Sequence, residues 1–130
     1  MPLPEAALAM PLSRARLRER GFNQSLEIAK RLCRVLVIPL LPHACERIRD
    51  TESQTTLPWK ERAKNVRGAF ACHESFIGKH VAVIDDVMTS GATVNELAKT
   101  LKKSGAIRVS AWVIARTRPE SFQPTVIDDV

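Results

Sequence analysis

The sequence predicts an α/β domain with a mostly parallel sheet flanked by helices, and three observations carry that expectation. Residues 81–84 (VAVI) are aliphatic without polar alternation, the pattern of a strand buried on both faces. Behind them, residues 95–103 form a helix whose Val94, Leu97, Ala98 and Leu101 recur at helical spacing, and Gly105 stops it. Strand-like and helix-like segments alternate along the rest of the chain, with no internal repeat or low-complexity tract.

Taken in order, residues 6–12 are a short apolar first strand, set so near the amino end that a strand shortened at its start is expected. Residues 13–21 read as an arginine-rich loop. Residues 23–36 predict a helix capped by Asn23, with Leu26, Ile28, Ala29, Leu32, Val35 and Leu36 facing inward. Pro39 and Pro42 bracket an extended piece, and a second strand is expected from about residue 40 to 48. Residues 50–56 (DTESQTT) are polar and aperiodic, hence a loop. Pro58 opens a short helix through Lys64, Gly68 ends it, and residues 69–71 predict a strand. A further strand covers residues 108–115.

With 130 residues and 45% hydrophobic content, the chain can bury one core but not two. The net charge of +6 suits a phosphorylated or nucleic-acid ligand. No apolar run of about 18 residues and no signal-peptide series is present, so no membrane span is expected and the cytoplasm is the expected compartment. Cys33, Cys45 and Cys72 contain no C-x-x-C and read as buried or idle thiols rather than a disulfide set or zinc site.

The chemistry concentrates at the end of the aliphatic run, where the sequence continues DDVMTSGAT. A strand's carboxyl end there meets a helix's amino end, the edge of an α/β sheet where ligands bind and unpaired N–H groups attract anions. Asp85 and Asp86 can accept from vicinal sugar hydroxyls and hold Mg²⁺ through water. Thr89, Ser90 and Thr93 can donate to a phosphate, and Gly91 lets the backbone approach it. Helix capping alone would not ask for two acids and three hydroxyls.

This stretch resembles the loop of type I phosphoribosyltransferases that binds 5-phosphoribosyl 1-pyrophosphate (PRPP) with Mg²⁺. Residues 16–24 (RLRERGFNQ) and 62–70 (RAKNVRGAF) are similar to signatures of the ComF/GntX branch, whose members are associated with competence and DNA uptake. The resemblance implies a type I phosphoribosyltransferase-like fold over residues 1–130; family members usually carry an upstream four-cysteine zinc module, which nothing in these residues matches, as expected of an isolated carboxy-terminal domain or of a variant without that module. It implies ribose binding by Asp85 and Asp86, possible Mg²⁺ contact by the same pair, and 5-phosphate binding by Val87, Met88, Thr89, Ser90, Gly91, Ala92 and Thr93. It places the pyrophosphate at the loop after the first strand, with Leu12, Ser13, Arg14 and Arg16 as candidates. A less close likeness, to the transferase half of glutamine amidophosphoribosyltransferase, implies a lid over residues 50–65 with Arg49, Gln54, Arg62 and Asn65 as contacts. The implied reaction is displacement of pyrophosphate from ribose C1 by a nitrogen nucleophile. A homodimer is expected from domains of this type. The acceptor is left open, because little of the chain lies outside the core to build the hood that selects it.

Three other classes compete with this reading. A phospho-receiver domain carries its acid pair on the first strand, whereas here the pair comes late. A P-loop NTPase needs G-x-x-x-x-G-K, which is absent. A non-catalytic binder of nucleotides or single-stranded DNA in competence is the serious rival, served by the arginines but thinly supplied with aromatics at 5%.

Overall fold

The computed structural model describes residues 3–49, 58–87, 91–115 and 123–127. Its elements run β1 (Ala6–Ala9), α1 (Arg14–Arg20), α2 (Gln24–Leu36), β2 (Cys45–Arg47), a 3₁₀ turn (Trp59–Glu61), α3 (Arg62–Asn65), β3 (Phe70–Cys72), β4 (His80–Val87), α4 (Ala92–Lys103), β5 (Arg108–Ala115) and β6 (Gln123–Ile127). The main sheet has the order β1-β4-β5-β6, with β1, β4 and β5 parallel and β6 antiparallel at the edge. β2 and β3 pair separately as a two-stranded antiparallel sheet.

Strand β4 is central because its apolar residues serve two cores at once. Side chains alternate across a strand, so Val81 and Val83 join Leu8, Val109, Ala111, Val113 and the α4 residues Val94, Leu97, Ala98 and Leu101. Ala82 and Ile84 point the other way, toward Ala7, Ala9, Trp112 and the α2 residues Ala29 and Cys33. All four residues of the VAVI run have 0% exposure. Each fully buried Val or Ile contributes about 1.5–3 kcal/mol, which explains why a run without polar alternation had to lie between two helical layers. Ala82, Ala7 and Ala29 cluster on the α2 side. Their small side chains leave room there for Trp112.

Several expectations are corrected. Residues 14–20 form a helix, not a loop: the Ser13 side chain accepts from Arg16 N at 3.2 Å, and Gly21, at φ 79°, closes the other end. Arginine and glutamate favour helix intrinsically, but with Leu17 as the single long apolar residue the segment offered no periodic stripe. The second strand shrinks to Cys45–Arg47, because Pro39 and Pro42 lack the donors a continuous ladder needs; Leu40 makes an isolated bridge to Ala7. The first strand ends at Ala9, and the third is shifted to Phe70–Cys72. On α2, Val35 is 78% exposed rather than inward, while Ser25 and Cys33 are buried. Strand β6 was not expected at all. The helix after the DD pair begins at Ala92, earlier than expected. No helix among the described residues is long and apolar enough to cross a membrane.

Candidate functional site

Three elements meet at the carboxyl ends of β1 and β4. Met10 N, just past β1, donates to Ile84 O at 2.8 Å, extending the ladder up to the acid pair. Asn23 closes the space above it: its Oδ1 accepts from Leu26 N at 3.2 Å as the α2 cap, and its Nδ2 donates to Met10 O at 3.1 Å. The RGFNQ motif thus ties the first turn of α2 to the end of β1.

That docking delivers Ser25, a residue the sequence reading did not single out. Its hydroxyl oxygen lies 3.2 Å from Asp85 Oδ1 and 3.3 Å from Asp86 Oδ1, and it accepts from Asp86 N at 3.2 Å. One hydroxyl proton is therefore shared between two carboxylates while the oxygen anchors their backbone. A signal existed in the sequence: Ser25, Ala29 and Cys33 form one i, i+4, i+8 stripe, so the hydroxyl stands where an apolar residue belongs.

Asp85 is only 8% exposed. Burial first, then the neighbouring Asp86 charge, push its carboxyl up to about 7, against the hydrogen bond from Ser25 that opposes the rise. The strand end thus holds a pair in which Asp86 is the better-solvated member and Asp85 keeps its proton to near neutrality. Such a pair can accept from two adjacent hydroxyls, and a ligand donating to it would favour the ionised form.

Past the pair, Val87 ends β4; its side chain and residues Met88, Thr89 and Ser90 lie outside the described residues. Gly91 resumes the chain at φ 84° as the N-cap of α4, a conformation that favours glycine, and Asn95 N donates to its carbonyl at 2.8 Å. Ala92 and Thr93 form the first turn of α4. The strand-to-helix junction expected from the sequence is therefore present.

Of the pyrophosphate candidates, Leu12, Ser13 and Arg14 line a different space, and Arg16 does not. A cleft of about 880 Å³ has Leu12, Ser13 and Arg14 on one wall, Phe22 and Asn23 beside them, and His43, Cys45, Arg47 and Ile48 opposite. Ser13 is 3% exposed, its hydroxyl engaged as the α1 cap; Arg14 is exposed and Arg16 partly so. Asp85 and Asp86 do not line this cleft, but Asn23 does, two residues before the serine that holds them. The wall formed by β2 belongs to the separate two-stranded sheet, so the chain carries more structure outside the main sheet than expected for a hood.

Of the lid candidates, the Arg49 guanidinium donates to the carbonyls of Asn65, at 2.8 Å, and Arg67. Two lid residues, Arg49 and Asn65, are thereby brought together at the foot of that segment. Arg62 begins α3. Gln54 lies outside the described residues.

Compared with known proteins, the chain first shows its fold class. It aligns over 97% of its length, with a TM-score of 0.51 and 21% identity, to 67% of a purine phosphoribosyltransferase chain from Pyrococcus horikoshii. The fold is that of the phosphoribosyltransferases, as the DD-containing loop led us to expect. No protein-family model matches the chain. Over 88% of its length it is 38% identical to competence protein F of Haemophilus influenzae, and 36% identical to the DNA utilization protein YhgH of Escherichia coli K12. The likeness to the ComF branch that the three motifs implied is thus borne out. The chain spans about half, 51%, of the length of these relatives. A shorter stretch, 36% of the chain, is 43% identical to ribose-phosphate pyrophosphokinase 3 of Oryza sativa subsp. japonica.

Proposed function

We propose that this domain binds PRPP, or a ribose 5-phosphate nucleotide, at the junction of β4 and α4, and transfers the phosphoribosyl group to a nitrogen acceptor. The observation that carries the reading is the Ser25-anchored pair Asp85–Asp86 at the end of β4, followed by an α4 N-terminus opened by Gly91. On a phosphoribosyltransferase fold this arrangement suits the ribose hydroxyls and the 5-phosphate together. The relative named a ribose-phosphate pyrophosphokinase points to the same ligand chemistry.

In this reading Asp85 and Asp86 accept from the 2- and 3-hydroxyls, and residues 87–93 donate to the 5-phosphate. The pyrophosphate faces Leu12–Arg14, and Arg14 or Arg16 supplies the cation. The acceptor enters through the cleft between α1 and the two-stranded sheet. Mg²⁺ suits this donor set, with Asp86 the more solvated carboxylate available through water, and would neutralise charge on the departing pyrophosphate. Residues 50–65 close as a lid that Arg49 holds at its carboxyl end, excluding water from the reacting C1. Two copies pair in solution, as domains of this size commonly do; sedimentation at 14.5 kDa at every concentration would count against it.

Calorimetry with PRPP and Mg²⁺, followed by an amine and nucleobase panel scored for pyrophosphate release, tests the proposal. Saturable PRPP binding lost in Asp85→Asn/Asp86→Asn supports the site; unchanged ribose 5-phosphate binding in that double variant overturns it.

A second reading is favoured by the names of the relatives, competence protein F and DNA utilization protein. Under it the domain is a non-catalytic DNA-associated accessory, and the exposed Arg14, Arg18 and Arg20 of α1 face phosphates of a nucleic acid. Arg14→Ala and Arg16→Ala separate the two. If the arginines serve pyrophosphate, PRPP binding falls much more than ribose 5-phosphate binding. If they serve DNA, PRPP binding holds and the salt slope of DNA association drops by about one per contact.

A further inference from the structure

The two-stranded sheet brings together two thiols that lie far apart in sequence. Its register sets Cys45 opposite Cys72 and Arg47 opposite Phe70. His73 N donates to Ala44 O at 2.7 Å, and Ile48 N to Ala69 O at 2.8 Å. Hydrogen-bonded and open pairs alternate along an antiparallel ladder, so Cys45–Cys72 and Arg47–Phe70 are the open pairs. At open pairs the Cα atoms stand about 4.5 Å apart and side chains lean together, within the span of a disulfide of about 4.4–6.8 Å. The neighbouring open pair reports the same closeness: the Arg47 guanidinium lies 5.3 Å from the Phe70 ring centroid.

The two sulfurs differ in character. Cys45 is buried, and Cys72 is partly exposed; both are free thiols. Hydrogen bonds from Cys45 and from the Ser104 hydroxyl pull the Cys72 thiol down to about 7 against its burial, while Cys45 is raised. Cys33 belongs to the α2-side core, on the far face of the sheet from Cys45.

We infer that Cys45 and Cys72 form a reversible intramolecular disulfide across β2 and β3, a redox modification site in the wall of the cleft. With a hydroperoxide as oxidant, the Cys72 thiolate attacks the terminal peroxide oxygen, the O–O bond breaks, and the alkoxide leaves as the alcohol after taking a proton. The Cys45 sulfur then attacks the resulting sulfenic sulfur, the S–O bond breaks, and water departs with the Cys45 proton. Two thiols and one hydroperoxide become one disulfide, one alcohol and one water, a two-electron oxidation matched by a two-electron reduction. A dithiol reverses it. The bond joins the strands that precede and follow residues 50–65, and Cys45 itself lines the cleft, so oxidation stiffens that wall.

The full chain treated with hydrogen peroxide, denatured and labelled with a maleimide tests this. Two of the three thiols should be lost, leaving Cys33 labelled, with a peptide linking Cys45 to Cys72, a monomeric band on a non-reducing gel and full recovery in dithiothreitol. The melting temperature should rise on oxidation and fall back on reduction. Cys33→Ser should behave as the parent, and Cys72→Ser should abolish the loss of the second thiol. Cys72 is partly exposed, so that variant keeps the test sound even where Cys45→Ser folds poorly. A bridge through Cys33, covalent dimers in place of the internal link, or Cys72 accumulating as sulfinic acid with Cys45 still labelled would each overturn the inference.

Discussion

Replacing Asp85 by Asn should make the protein more stable at neutral pH while damaging its ligand site. The carboxyl ordinarily titrates near 3.8 and is pushed up to about 7 in the fold. Below about pH 4 folded and unfolded chains both hold the proton, and the residue costs nothing. As pH rises from 4 toward 7 the unfolded chain ionises while the folded one keeps its proton, so the native state binds more protons and stability falls with rising pH. Above 7 the penalty is complete. At about 1.4 kcal/mol per pH unit, a rise of roughly three units amounts to about 4 kcal/mol, an upper figure that relaxation around the carboxylate reduces toward 2. Asn fills the same volume, accepts from Ser25 and never ionises. Urea unfolding at pH 4, 5.5, 7 and 8.5 should give coincident curves at the acid end. By pH 8.5, Asp85→Asn should be ahead by about 2–4 kcal/mol. A parallel pH profile for the two proteins, or a less stable variant at pH 8.5, would refute burial as the cause of the raised titration. A residue kept at such a cost in stability is the expected mark of a functional group rather than a structural one.

Further outcomes follow from other positions. Ser25→Ala removes the donor that holds the Asp85 carboxyl down, so the fall of stability with pH should extend to higher pH than in the parent, with a loss of about 1–3 kcal/mol overall, read in the same urea series. Gly105→Ala should cost about 2–4 kcal/mol, because at φ 105° a Cβ would stand 2.6 Å from Ile77 Cγ1 and 2.7 Å from Ile77 Cα; a melting temperature within a degree of the parent's would contradict the packing of that turn. Val37→Gly should gain about 1 kcal/mol, since Val37 ends α2 at φ 56°, 86% exposed, paying for a left-handed conformation with no burial in return; chemical denaturation showing a loss would mean the side chain packs after all. If ligand hydroxyls bind the ionised pair, affinity for ribose 5-phosphate should rise with pH up to about 7 and then level, with a smaller rise in Asp85→Asn, where that carboxyl no longer titrates; equal profiles by calorimetry would exclude Asp85 from the contact.

What could be read from the residues alone was whatever local pattern encodes. The VAVI run read as a strand covered on both faces, because a short run rich in β-branched residues with no polar alternation leaves no face for water. The α4 stripe, the Asn23 cap and the junction at Gly91 were legible for the same reason: periodicity, capping chemistry and glycine each act within a few residues. Local pattern failed where local forces were weak or shared. Helix α1 is built from charged residues closed by Ser13 and Gly21, with no apolar stripe to announce it, and β6 exists through its antiparallel pairing with the preceding strand β5. The site divides along the same line. Adjacent acids after a buried strand pointed to a sugar, but Ser25 reaches them from 60 residues away, and Cys45 faces Cys72 only because two short strands pair in one register. Those contacts come from the docking of α2 on β4 and the alternation of an antiparallel ladder. Such long-range geometry is set by burying both faces of the sheet at once, and no window of sequence contains it.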